Sequence, residues 1–184
     1  MIRILDCKKP NYLSRLKLIL NKRRFKSKIN TDIVIKIVKD IKKNKKKALL
    51  KYEKKFSKNT KIKPTKEEIN KSIKSLDPKI KNAIDFAYSR ILKFHSLQKN
   101  KNIKYVDKQN NKIEYRYIPI QSVGIYVPSN LPSTLLMNAI LAKKIAGVKR
   151  VVLANPRLNG KLNPAVMYAA KKCGVSEIIS AGGS

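Results

Sequence analysis

The sequence predicts an α/β protein, a parallel βαβαβ sheet preceded by a helical arm. Two observations carry this. Between residues 118 and 184, short apolar runs alternate with runs of helix length, the pattern of strand–helix–strand units. Before about residue 101, apolar residues recur instead at helical spacing.

The elements follow in order. From Thr31, the positions Ile33, Ile37 and Ile41 with Val34 and Val38 mark one helix face. The run from Lys42 to Lys47, broken only by Asn44, interrupts it, and Leu49, Tyr52 and Phe56 resume it. Pro64 closes this stretch. Thr65 with Glu68 has the spacing of a capping box, in which each side chain satisfies a free amide of the other residue's turn. Asp77-Pro78 opens the next helix, an N-cap acid before proline at the first helical position. Its face carries Ile80, Ile84, Ala87, Ile91 and Phe94, and it runs to about Gln98. Residues 1–100 therefore read as a helical arm with one apolar stripe per helix. Residues 101–117 read as a connecting β-hairpin, because Ile103, Tyr105, Ile113, Tyr115 and Tyr117 alternate with polar residues around a polar turn. Then come a strand at 123–127, a helix at 133–146, a strand at 151–154, a helix at 163–173 and a strand at 177–181. Ser133 and Thr134 suit the N-cap of the first of these helices. Gly147 and Gly174 suit the left-handed residue that ends each.

Composition bounds the function. With 42% hydrophobic residues in 184, the chain can bury a core, which excludes disorder throughout. No apolar run approaches the ~18 residues of a membrane span, and the first residues lack the apolar core of a secretory signal. Cys7 and Cys173 fit neither zinc nor redox spacing and read as reduced thiols, so a cytoplasmic location is expected. The net charge of +33 first suggests nucleic acid. Yet only 8 of the 44 basic residues are Arg, the side chain whose planar fork suits phosphates and base edges. The 36 Lys accompany abundant Ile and Asn, the residues of A/T-rich codons, and scatter over polar helix faces. They read as a solvated surface weakly attractive to any polyanion, without a specific nucleic-acid partner. Tyr115, Arg116 and Tyr117 beside Lys104 and Lys112 would suit a single-stranded nucleic acid, but hairpin alternation explains them as well.

The stretch Val123-Gly-Ile-Tyr-Val-Pro128, followed by Leu136-Met-Asn-Ala139 and Ala142-Lys-Lys-Ile-Ala-Gly-Val148, resembles histidinol dehydrogenase. Phe94-His95 with Gln98, Asn155-Pro156, Asn163-Pro164, Cys173-Gly174-Val175 and the closing Gly182-Gly183 agree with that family's elements. The resemblance is clear over 118–184, fair over 78–117 and general in the arm. It implies an aldehyde-dehydrogenase-like fold, here an arm plus a truncated Rossmann-like half that binds NAD. It also implies NAD-dependent oxidation of L-histidinol to L-histidine through an aldehyde, with a bound zinc ion, in a homodimer. Family members are more than twice as long. Their zinc ligands, a Gln, two His and an Asp, and their general base, a His next to a Glu, lie beyond the Gly-Gly element and have no counterpart here. The resemblance assigns this chain no catalytic and no metal residue. Its cofactor-contacting Gln would follow Ser184.

The chain's own chemistry agrees, since one histidine and two distant cysteines make no catalytic zinc set, which needs three protein ligands and an open position. His95 reads as a helix-surface or packing residue. One family position survives, because Tyr126 matches the tyrosine that lies against NAD, and ligands of open α/β sheets sit beyond the strands' carboxyl ends. Where the family has Gly-Gly, this chain has Ser129-Asn130 and a loop about three residues shorter, which limits close approach of backbone amides to a phosphate. The resulting expectation is the N-terminal portion of a histidinol dehydrogenase, inactive alone. A non-catalytic relative kept for binding or dimerisation, or a basic nucleic-acid-associated protein, stays open on the residues. The last strand is expected to lack the helix covering one side, so that the chain self-associates or awaits a complementing C-terminal fragment.

Overall fold

Three of the helices begin where the sequence supplies a side-chain cap. The computed structural model describes residues 5–128 and 130–182, with backbone alone for 22–31. Ser129, Gly183 and Ser184 therefore lie outside the described residues. Helix α1 (Tyr12–Ser57) leaves helical backbone at Lys45 (φ 47°, ψ −127°), inside the lysine run predicted to interrupt its face. Like charges three and four residues apart weaken a helix there. Helix α2 (Lys66–Lys74) carries the predicted capping box, with Glu68 N donating to Thr65 Oγ1 and Thr65 N to Glu68 Oε2. Helix α3 (Pro78–Ser96) starts from Asp77, whose carboxylate accepts from Lys79 N at 2.7 Å.

The chain divides into two compact units, Met1–Leu49 and Leu50–Ser184. In the first, the predicted stripe is shallow. Ile37 and Ile41 are half-buried, while Ile33, Val34 and Val38 are exposed.

The second unit holds the sheet. Strands β3 (Ser122–Tyr126), β4 (Arg150–Ala154) and β5 (Glu177–Ile179) pair in parallel in that order. The register sets Ile125 opposite Leu153 and Leu153 opposite Ile178. Because side chains alternate across a strand, one face gathers Val123, Ile125, Val127, Val151, Leu153 and Ile178. These cluster with Leu135, Leu136 and Ile140 of α4 (Pro132–Ile140), Val166 and Met167 of α5 (Pro164–Cys173) and Ile84 of α3. Ser122, Gly124 and Tyr126, on the other face of β3, are exposed. Asn163 caps α5 by accepting from Val166 N, and Gly174 ends it in left-handed backbone (φ 75°, ψ 39°) as predicted. Gly147 likewise has φ 75°. Helix α3 is tied to α5 by Asp85, which accepts from Tyr168 Oη at 2.7 Å and pairs with Lys172 at 2.6 Å. Those two bonds, Lys172 first, hold the Asp85 carboxyl below its ordinary value.

Five details differ from the sequence reading. The predicted helix 133–146 is α-helical only to Ile140 and continues as a π-helix over Leu141–Ile145. The wider turn lets Ala142 and Ile145 join the core beside Ile140. Leu131 takes the N-cap of α4 and Pro132 its first turn, so Ser133 and Thr134 do not cap it. On α3 the buried stripe is Ile84, Ala87, Tyr88, Ile91 and Leu92, whereas Ile80 and Phe94 are exposed. Strand β5 stops at Ile179, because Ser180 and Gly182 bond out of the ladder. The hairpin forms with the predicted pairing, β1 (Ile103–Val106) antiparallel to β2 (Lys112–Tyr115), yet all eight strand residues are exposed. Tyr117 packs edge-on against Tyr115, but the strand residues stay exposed on both faces, so the expected in-and-out burial is absent.

The sealed face should dominate stability. Leu153→Ala should cost about 2–5 kcal/mol by loss of burial plus a cavity. Ile120→Ala, at a position 63% exposed, should cost less than about 0.5 kcal/mol. Urea midpoints at unchanged slope check both.

Candidate functional site

The carboxyl ends of three parallel strands form a rim, the place where open α/β sheets bind ligands. Tyr126 closes β3 there, 52% exposed, and its Oη donates to the Gly182 carbonyl at 2.8 Å. At the end of β4, buried Asn155 donates from Nδ2 to Val127 O at 2.8 Å, and its backbone N donates to Ile179 O. One side chain thus stitches β3 to β4 while its own amide stitches β4 to β5.

Beyond β5, Ser180 N donates to Ile62 O at 2.6 Å, and Asn59 Nδ2 donates to Ser180 O at 2.8 Å. Gly182 N donates to Glu53 Oε1 at 2.7 Å. The segment 53–62 thus bonds to the residues that follow β5, whereas the expectation concerned a helix over one side of that strand.

Gly182 is where a side chain is excluded on two grounds. Its φ of +120° lies in the left-handed half of the map, and a Cβ there would meet Tyr126 Cε2 at 2.4 Å. The tyrosine ring lies over the glycine, so the two residues form one surface.

The other sequence candidates fall elsewhere. His95 sits near the end of α3, where Nδ1 and Gln98 Oε1 are 2.6 Å apart. With Gln98 N bonded to His95 O, the pair closes the helix end, a structural task. Gln98 then lines a groove of about 930 Å³ with Tyr117, Ile120, Asn138, Leu141 and Ile145, separate from the rim. Cys7 is exposed and Cys173 buried, and both are free thiols. Burial pushes the Cys173 thiol up to about 11, so it stays protonated and makes a poor metal ligand. Among the described residues, no three of His, Cys, Asp and Glu converge as a metal set would.

Sequence reasoning missed Glu53 and Asn59. The available signal was that Glu53 is the single acid between Asp40 and Glu67 in a lysine-dense stretch. An acid tolerated there has a local task.

The fold and rim define an α/β protein whose parallel strands end together at one rim. Comparison with known proteins sharpens this. A family model described as histidinol dehydrogenase matches residues 20–184. Histidinol dehydrogenase of Pelagibacter ubique (strain HTCC1062) is 58% identical over 100% of this chain and 43% of its own length. That of Campylobacter jejuni (strain RM1221) is 42% identical over 83% of this chain and 36% of its own length. The crystal structure of histidinol dehydrogenase from Elizabethkingia anophelis superposes with a TM-score of 0.76 at 36% identity, over 83% of this chain and 36% of that one. The chain belongs to the histidinol dehydrogenase family, and it spans less than half the length of these relatives.

The thiols give a direct check. Under native conditions at pH 8, a disulfide exchange reagent should modify Cys7 rapidly and leave Cys173 unmodified until denaturant is added. Reaction of two thiols in the folded chain would contradict the buried position of Cys173.

Proposed function

We propose that this chain is the N-terminal portion of an L-histidinol dehydrogenase, which oxidises L-histidinol to L-histidine through histidinal while reducing NAD, as the last step of histidine biosynthesis. The observation carrying this reading is the strand-end rim of Tyr126 over Gly182, in a fold shared with a histidinol dehydrogenase crystal structure. In this reading, residues 1–100 are the arm, 101–117 the hairpin connection and 118–184 an aldehyde-dehydrogenase-like, Rossmann-like NAD-binding half. Residues 118–184 stop short of the zinc ligands and catalytic residues that the resemblance implies.

The residues fit NAD and do not fit zinc. For NAD, the Tyr126 ring is half exposed, its hydroxyl is already satisfied by Gly182 O, and the missing side chain at Gly182 is what lets the ring seat there. NAD, once bound, would supply the hydride acceptor, and Tyr126 would help to hold it through its ring. For zinc, the described residues provide no ligand set and the buried Cys173 stays a thiol, so no step through the metal is derived for this chain. Zinc and proton transfer belong to the part of the family fold that the chain does not span. The same reading assigns a homo-oligomer or a complementing C-terminal fragment as partner, and a cytoplasmic location. No helix among the described residues is long and apolar enough to cross a membrane.

The chain alone should reduce no NAD on addition of L-histidinol and retain no stoichiometric zinc after dialysis. Fused to the remaining portion of the Pelagibacter ubique relative, it should gain both. In that fusion Tyr126→Ala should raise KM for NAD by about tenfold, the cost of one lost aromatic contact. A fusion that folds without activity would overturn the reading.

The exposed hairpin and Leu97, Ile118 and Ile120 present apolar surface to water, while the charge of +33 opposes contact between copies. Sedimentation velocity should therefore show self-association that grows with salt, as screening shortens the repulsion. A monodisperse monomer at high ionic strength would contradict this.

A further inference from the structure

Beyond Tyr126, the rim depends on a residue that comes from far away in sequence. Glu53 lies in the last turns of α1, 129 positions before Gly182, and it is only 4% exposed. Its Oε1 accepts the Gly182 amide at 2.7 Å, and its Oε2 has no hydrogen-bond partner among the described residues. A carboxylate stripped of water is costly unless its bonds are strong, and a bond from a backbone N–H to a charged acceptor is among the stronger kinds. The same residue is held from its other side, where Tyr126 Oη donates to Gly182 O. Two residues back, Asn59 and Ile62 fix both backbone polar groups of Ser180. The turn after β5 is therefore held by the segment 53–62 on one side and by Tyr126 on the other. That is a strong restraint for a glycine whose intrinsic freedom is large and whose φ is +120°.

We infer that Glu53 is a positioning residue of the rim: by accepting the Gly182 N–H it fixes the turn beneath Tyr126 and so sets the surface on which a nicotinamide cofactor lies. The cofactor half of this statement rests on the function proposed above, whereas the clamp rests on geometry alone. Glu53 does not touch the cofactor. It acts through Gly182, and a side chain that keeps one acceptor oxygen at the same reach should preserve most of its effect. Glutamine is that side chain, and alanine is not.

Amide hydrogen exchange in the 184-residue chain tests the clamp. Glu53→Ala should speed exchange at Gly182 by about tenfold or more, the scale of one lost charge-assisted hydrogen bond, with Leu153 unchanged. Glu53→Gln should return Gly182 most of the way to the wild-type rate. Unchanged exchange at Gly182 in Glu53→Ala would overturn the clamp. So would a parallel rise at Leu153, which would mark a general loss of stability, or a failure of Glu53→Gln to rescue. In parallel, titration with NAD should give about tenfold weaker binding for Glu53→Ala, restored in Glu53→Gln. If the wild-type chain binds no NAD, the cofactor half fails and the exchange rates still decide the clamp. If NAD binds equally to all three while Gly182 loosens, the clamp exists and its role toward the cofactor is refuted.

Discussion

One face of the β3–β4–β5 sheet must be shut away from water, and most of the second unit follows from that constraint. Strand alternation and the parallel register put Ile125, Leu153 and Ile178 side by side. Parallel strands cannot be joined by tight turns, so each connection has to supply a helix. Helices α4 and α5 therefore lie where they can cover this face, and their own stripes of Leu135, Leu136, Val166 and Met167 complete the core. Helix α3 adds Ile84 from behind and is held to α5 by the Asp85–Lys172–Tyr168 contacts. Because Asp85 titrates below its ordinary value of 3.8, its stabilisation is complete above that pH and is lost as pH falls through the lower folded value.

The same register that seals one face aligns the strand ends. Tyr126, Asn155 and the residues after Ile179 arrive at one rim because β3, β4 and β5 run in the same direction. Asn155 then converts alignment into rigidity, bonding to Val127 with its side chain and to Ile179 with its backbone. Tyr126 turns its polar tip to the Gly182 carbonyl and leaves its ring half open. The rim thus joins a bonded backbone to a half-exposed aromatic ring.

What could be read from the sequence was whatever is encoded locally. The Thr65–Glu68 capping box, Asp77-Pro78 and the left-handed Gly174 each announce themselves within four residues. The strand–helix alternation after residue 118 was equally legible, since apolar period is a property of neighbours. The π-helix at Leu141–Ile145 was not, because the same apolar residues satisfy an α pattern until the core decides which must face inward. The exposure of both hairpin faces was also hidden, since alternation records a potential for burial and says nothing about what arrives to bury it. The place of Tyr126 at the end of β3 was legible through a motif. Glu53 was not, because its partner lies 129 positions away and no local pattern links a helix end to a glycine amide.

Charge gives the last step of the argument. With 44 basic residues against 11 acidic ones, the lysines look like the chain's defining feature, but the acids carry the specific information. Glu53 holds Gly182, Glu68 closes the capping box and reaches Arg157, and Asp77 caps α3. Asp85 ties α3 to α5, and Asp107 binds the hairpin turn through Gln109 N and Asn111 N. Glu114 braces Lys104 and Arg116, and Glu177 gathers Lys63 and Arg150 at the start of β5. In a chain this basic, exposed acids such as Glu114 and Glu177 readily meet cations, and such surface pairs contribute little. Glu53, Glu68, Asp77 and Asp107 instead accept from backbone amides, bonds that fix where the chain turns and starts its helices. A lysine exchanged for a neutral polar residue mostly changes the repulsion between molecules. An acid exchanged at one of these positions removes a defined piece of backbone geometry, and at Glu53 that piece belongs to the rim.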